Sequence, residues 1–463
     1  MKGKYQTFPP LPLPKNGTMK DITMTTQPYL LYVTPDGEIG EARHLTAVDY
    51  DGQPYDPADL IPLPPGTTVA MMPGRLAVGL AKDGTRRVLS ARKGWAISAF
   101  LPIGFTRTRI PGYELAPPEA IPANAETLPF FGYTALVGMD GVTYVAAVRT
   151  DLPAHWEPQA FDPRQLARRV QRRLRAEPDN RVLAHHAHCA LDYQCPTASN
   201  LFFERWEGAI AVSGGCNAKC IGCISKQEEE GLVSPQDRLT FLPSVEEIVA
   251  VGVAHLTRAP EAIISFGQGC EGEPLLQARL IEQSIRGMRA RTSMGTININ
   301  TNASNPRAIA RLCAAGLDGL RASTISARPA TYDAYYRPMG YGVEQIKQCL
   351  IVAREAGVYT SINLLLYPGL ADAEDEAAAW VEFLRETGTR LVQLRNLNID
   401  PELLLPKLPP RGPAMGVRNF IALLRRELPD LRIGNFSLPL HQGPDGVREP
   451  LALSAEAMPQ NVS

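Results

Sequence analysis

The stretch Ser213-Gly214-Gly215-Cys216-Asn217-Ala218-Lys219-Cys220-Ile221-Gly222-Cys223 decides how the rest of the chain is read. It follows the apolar segment Gly208 to Val212 and places three thiols in a C-x3-C-x2-C run, close enough for all three to reach one inorganic cluster. In a cubane 4Fe-4S cluster each iron needs an outside ligand, so three thiolates leave one iron open to a small molecule. The competing assignment is structural zinc, which takes a closed set of four ligands, usually grouped as two C-x2-C-like pairs. Here the next thiol, Cys270, lies far downstream, so the spacing favours the cluster.

The chain has 463 residues, enough for two or three domains with real cores. Lysine and arginine number 47 against 48 acidic residues, so bulk charge does not indicate nucleic acid or membrane binding, and any such partner must be read from a local patch. No charged-then-apolar leader and no bilayer-length apolar run is present, which leads us to expect a soluble, unexported, cytoplasmic protein. The eight cysteines (Cys189, Cys195, Cys216, Cys220, Cys223, Cys270, Cys313 and Cys349) then read as thiols or metal ligands rather than disulfides.

Around the cysteine run the pattern is α/β. From Trp206 to about Asp400, apolar strands alternate with amphipathic helices in six βα units, which predicts a partial (β/α)6 TIM-type barrel over 206–400. Chemistry in such barrels sits at the carboxyl ends of the strands, where the cysteine loop falls after the first. Upstream, 1–21 is a flexible proline-rich arm, and 27–150 is a small β-rich accessory domain of hairpins turned by Asp36-Gly37, Asp83-Gly84 and Asp140-Gly141. A helical linker covers 160–205. It begins with an arginine-rich helix capped by Asp162, whose cationic face reads as a solvated surface, with RNA as the competing partner. His185, His186, His188, Cys189 and Cys195 follow, a group of metal-ligand types whose spacing matches no defensible motif. Residues 401–463 form a C-terminal extension without cysteine.

The cysteine run resembles the cluster loop of the radical S-adenosylmethionine (radical SAM) enzymes. The resemblance implies that Cys216, Cys220 and Cys223 bind a 4Fe-4S cluster and that S-adenosyl-L-methionine is the second cofactor. It further implies reductive cleavage to a 5′-deoxyadenosyl radical that abstracts hydrogen from a substrate, and a reductant such as a flavodoxin or ferredoxin. Glu271-Gly272-Glu273-Pro274 is similar to the family's Gly-Gly-Glu stretch, with Glu271 in place of the first glycine. Thr301-Asn302-Ala303 resembles its third-strand motif, and Leu320 to Ser326 its ribose-binding strand, with Ser323 as the sugar contact and Ser326 as its understudy. Asn363 on the fifth strand and Asn396 on the sixth complete the cofactor-binding set, with Gln393 and Arg395 as substrate candidates. Cys270 reads either as a hydrogen-atom donor to a product radical or as a buried thiol. The substrate is left open among a small molecule, a peptide and RNA, and a non-enzymatic iron-sulfur or zinc protein is the remaining alternative.

Overall fold

The computed structural model of the protein describes residues 27–121, 132–151, 162–226 and 234–451, and the arm expected over 1–21 lies outside them. Each Asp-Gly pair closes a hairpin. Gly37, Gly84 and Gly141 all take positive φ, and Asp140 joins Gly141 there, the backbone that a two-residue hairpin loop requires. The flanking strands are Tyr29–Val33 with Ile39–Ala47, Thr68–Leu80 with Arg86–Val88, and Leu136–Met139 with Val142–Arg149. All belong to one ten-stranded sheet.

Three helices lead out of this sheet: α1 (Pro163–Ala176), α2 (Arg181–Leu191) and α3 (Pro196–Phe203). Asp162 caps α1, its carboxylate accepting the Arg164 N–H at 2.9 Å. Leu166 and Val170 are buried, and Arg173 is buried beside them, paired with Glu177 at 2.7 Å. Arg164, Arg168, Arg172 and Arg175 face outward.

The second sheet is parallel and ordered as the chain runs: β1 (Glu207–Ile210), β2 (Ile263–Phe266), β3 (Thr296–Thr301), β4 (Gly319–Thr324), β5 (Tyr359–Leu366), β6 (Leu391–Asn396) and β7 (Arg432–Gly434). Crossover helices α4 (Val245–Arg258), α5 (Ala278–Arg289), α6 (Pro306–Ala315), α7 (Pro329–Tyr336), α8 (Val343–Glu355) and α9 (Glu374–Thr387) connect them. Ser244 and Glu247 form a reciprocal capping box that fixes the start of α4. Six strands were expected, and the sheet carries a seventh: β7 pairs with β6 from Leu391↔Arg432 to Gln393↔Gly434. Among the described residues no pairing joins β7 to β1, so the barrel stays open.

The β-rich domain is fastened to the carboxyl end of β6. Arg107, fully buried, donates from its guanidinium to Leu397 O at 2.7 Å and to Asn398 Oδ1 at 3.3 Å. Arg75 pairs with Asp400 and, at 3.2 Å, with Glu402. Tyr133 donates to Asp400 at 2.9 Å and Tyr113 to Glu402 at 2.8 Å. Buried charges are tolerated when paired and hydrogen-bonded, and this cluster meets both conditions.

Candidate active site

β1 delivers the chain through Ala211 to Ser213 into the cysteine loop, and β2 delivers it through Gly267 into Gln268-Gly269-Cys270-Glu271-Gly272-Glu273. The two loops are joined backbone to backbone. Gly272 N donates to Ser213 O at 2.7 Å and Glu273 N to Gly215 O at 2.8 Å. A side chain cannot be placed at 272, because a Cβ there would stand 1.9 Å from the Gly215 oxygen.

The carboxylates flanking Gly272 fasten the loops to the strands. Glu271 accepts the N–H of Val212 at 2.8 Å, Ser213 at 3.0 Å and Gly267 at 2.5 Å. Glu273 accepts the N–H of Asn302 at 2.8 Å and Leu275 at 2.9 Å, and the Thr301 hydroxyl at 2.5 Å. Burial pushes Glu271 up to about 8 and Glu273 up to about 7, against these donors. The glutamate standing where the resembling pattern has glycine therefore ties the end of β1 to the end of β2.

Cys216, Cys220 and Cys223 lie together, half-buried, and differ in electrostatics. Burial raises Cys216, and burial with the two neighbouring thiols raises Cys220 well above the ordinary value. Burial also acts on Cys223, but hydrogen bonds from Ser225 and the charge of Arg238 outweigh it and hold that thiol low. Arg238 Nη2 reaches Cys223 Sγ at 3.3 Å, and its Nε donates to Ser225 Oγ at 2.9 Å. Sequence reasoning missed Arg238, since a lone arginine in an irregular loop carries no motif. Among the described residues, three metal-ligating atoms within 4.8 Å of one another occur only at His185, Cys189 and Cys270. The cysteine-loop sulfurs stand wider than the ligands of a single tetrahedral zinc, which at about 2.3 Å from the metal are roughly 3.8 Å apart.

Ser323 and Asn363 line a cavity of about 350 Å³ at the carboxyl ends of the strands, with Asn363 Nδ2 donating to Ser323 Oγ at 3.4 Å. Glu207, Asn300, Arg321 and Arg395 line it too, and Ile103 of the β-rich domain closes one side. Glu207 accepts from Ser265 at 2.7 Å and pairs with Arg321 at 3.3 Å. Burial pushes its carboxyl up, but Arg321, Ser265 and Arg395 outweigh this and hold it below the usual range. Arg395 donates to Asn363 Oδ1 at 3.1 Å and Gln393 Oε1 at 2.8 Å.

Other expected site residues lie around this cavity with their side chains engaged. Thr301 is bonded to Glu273, and Asn302 Nδ2 donates to Asn217 of the cysteine loop at 2.7 Å. Pro274, buried, opens the single 3-10 turn after Glu273. Ser326 donates to Glu376 at 2.5 Å and accepts the Arg328 N–H at 2.9 Å, so its hydroxyl serves a turn. Asn396 accepts Arg107 N at 2.8 Å and donates to Phe105 O at 3.0 Å, so its amide holds the β-rich domain. Cys270 is buried and its sulfur lies beside His185 and Cys189 on α2, while the cavity is lined by its neighbours Gly267, Gln268 and Gly269. A larger cavity, about 580 Å³, opens between Asp49 to Asp51 and the loop after β5, and none of the expected site residues line it.

Residues 210–381 match the family model described as the radical SAM superfamily. No curated protein matches the chain. Solved structures that resemble it include a radical SAM methyltransferase from Sphaerobacter thermophilus, at 20% identity and TM-score 0.35, covering 49% of this chain and 64% of that one. The FeFe-hydrogenase maturase HydG from Carboxydothermus hydrogenoformans is 15% identical at TM-score 0.35, over 59% of this chain and 71% of that one. The chain thus spans just under two thirds of the first of these. The family match begins at the last residue of β1 and runs through the cysteine loop, the Gly272 clasp and the Ser323 strand into α9, and on that match the chain carries a domain of the radical SAM superfamily over residues 210–381.

Proposed function

We propose that this protein is an enzyme that cleaves S-adenosylmethionine reductively and uses the resulting radical on a second substrate held in the cavity at the carboxyl ends of β1 to β6. The observation that carries the reading is the clasp between the cysteine loop and Gly272-Glu273, closed at 2.7 and 2.8 Å with no room for a side chain at 272. It sets three thiolates beside a stretch of backbone whose neighbouring carbonyls suit an ammonium group. The donor set fits the superfamily's cofactors: three cysteines for a 4Fe-4S cluster, with one iron left for S-adenosylmethionine. When bound, that pair supplies a 5′-deoxyadenosyl radical from one electron.

The chain's own residues do the rest. Cys216, Cys220 and Cys223 ligate, and Arg238 offsets the negative charge gathered at Cys223. Ser323 and Asn363 present a hydroxyl and an amide to a sugar. Ile103 and Phe436 narrow the cavity against water. The lining is rich in donors: Arg321 Nε and Asn300 Nδ2 are buried and have no hydrogen-bond partner in the protein. Unpaired buried donors are costly, so a substrate rich in acceptors, such as a carboxylate, answers the lining best.

Anaerobic reconstitution with iron and sulfide, followed by dithionite and S-adenosylmethionine, tests this. Release of 5′-deoxyadenosine is expected from the native chain and absent from the Cys216→Ala, Cys220→Ala, Cys223→Ala triple variant. Equal release from both would overturn the assignment.

A further inference from the structure

A second group of soft ligands stands apart from the cysteine loop. His185 and Cys189 are one turn apart on α2 and share a face. Cys270 approaches from the loop after β2, and the three ligand atoms lie within 4.8 Å of one another. Cys195, at the cap of α3, follows a reversal of the chain fixed by its N–H on Cys189 O at 3.1 Å, and it lies outside that trio of ligand atoms. Cys189 and Cys270 are buried, and Cys195 is half-buried.

We propose that His185, Cys189 and Cys270 bind a single thiophilic divalent ion, zinc, which staples the helical linker to the loop carrying Gly272. Ligand atoms on a tetrahedral zinc, at about 2.0 to 2.3 Å from the metal, are roughly 3.3 to 3.8 Å apart, and the observed span needs only a small contraction to reach this. The same span is too tight for a cubane cluster. One imidazole with two thiolates is a soft ligand set that suits zinc, and that softness excludes magnesium or calcium. The position gives the ion a purpose. Cys270 immediately precedes Glu271, whose carboxylate holds the ends of β1 and β2, so metal binding on the linker side stiffens the loop without touching the cavity.

The competing fates of these groups are a metal-free contact, since His185 Nε2 already lies 3.8 Å from Cys189 Sγ and 3.3 Å from Cys270 O, and a Cys189 to Cys270 disulfide. The experiment uses the full chain with Cys216, Cys220 and Cys223 all changed to alanine, so that zinc cannot be miscounted from the cluster loop. Elemental analysis after growth with zinc is expected to give about one zinc per chain. Adding Cys189→Ala or Cys270→Ala should lower that at least fivefold, with far-ultraviolet circular dichroism checking that the fold survives. Zinc X-ray absorption on the otherwise native chain guards against variants that fail to fold: sulfur scatterers at about 2.3 Å with a nitrogen near 2.0 Å support the site. Zinc below a tenth of an equivalent overturns it, as does iron retained in its place or a disulfide in the intact mass.

Discussion

At the scale of single residues, close contact decides more than chemical type. Gly272 is held by a contact that only hydrogen fits, so Gly272→Ala must part the cysteine loop from the Gly-Glu stretch. We expect 5′-deoxyadenosine release to fall at least tenfold while the circular dichroism spectrum stays native; unchanged release would show that the clasp is not needed. His255 shows the opposite case, a polar group kept for the fold. Its Nε2 faces Trp206 O at 2.7 Å, and burial pulls the imidazole down from 6.5 to about 4. Between those values the unfolded chain binds the proton and the folded one does not, so this contribution is complete above pH 6.5 and is lost as pH falls toward 4. The loss amounts to about 3 kcal/mol. Urea unfolding at both ends of this window should therefore show a smaller acid loss for His255→Gln than for the native chain, and identical losses would remove His255 from the account. The cysteine loop was legible from its own spacing, and Gly272 and Ser323 only through the resemblance which that loop carries. The hydrogen bonds of Ser326 to Glu376 and of Asn396 to Phe105 were not legible, because a polar side chain does not reveal which neighbour will claim it.

At the scale of elements, β4 and β6 form over the spans that the strand–helix pattern predicts, Gly319–Thr324 and Leu391–Asn396, each buried over its first four residues. β7 lies inside 431–436, where the sequence suggests a short strand, but three residues carry too little periodicity to assign it to the barrel, and only its pairing with β6 does so. The carboxyl end of β6 is also where the two sheets meet. Arg75 is the cation shared by Asp400 and Glu402, with little solvent exposure on its own side chain or that of Asp400. Arg75→Met leaves Asp400 buried without a counter-ion, a loss of about 3 to 5 kcal/mol. The expected readout is a lower urea midpoint together with earlier proteolytic release of the β-rich domain. A midpoint that does not move would mean that the pairs are dispensable.

At the scale of the whole molecule, the β-rich domain is part of the site's wall. Arg107 anchors it to Leu397 and Asn398, and Ile103 contributes to the cavity that Ser323, Asn363 and Arg395 line. Docking at β6 therefore brings this wall of the cavity into place. The central claim remains that three cysteines hold a cluster with one iron free for S-adenosylmethionine. Electron paramagnetic resonance of the dithionite-reduced, reconstituted protein tests it most directly. The account predicts a reduced-cluster signal, absent from the triple cysteine variant, whose shape changes when S-adenosylmethionine is added. A fully loaded cluster whose signal is indifferent to S-adenosylmethionine would contradict it.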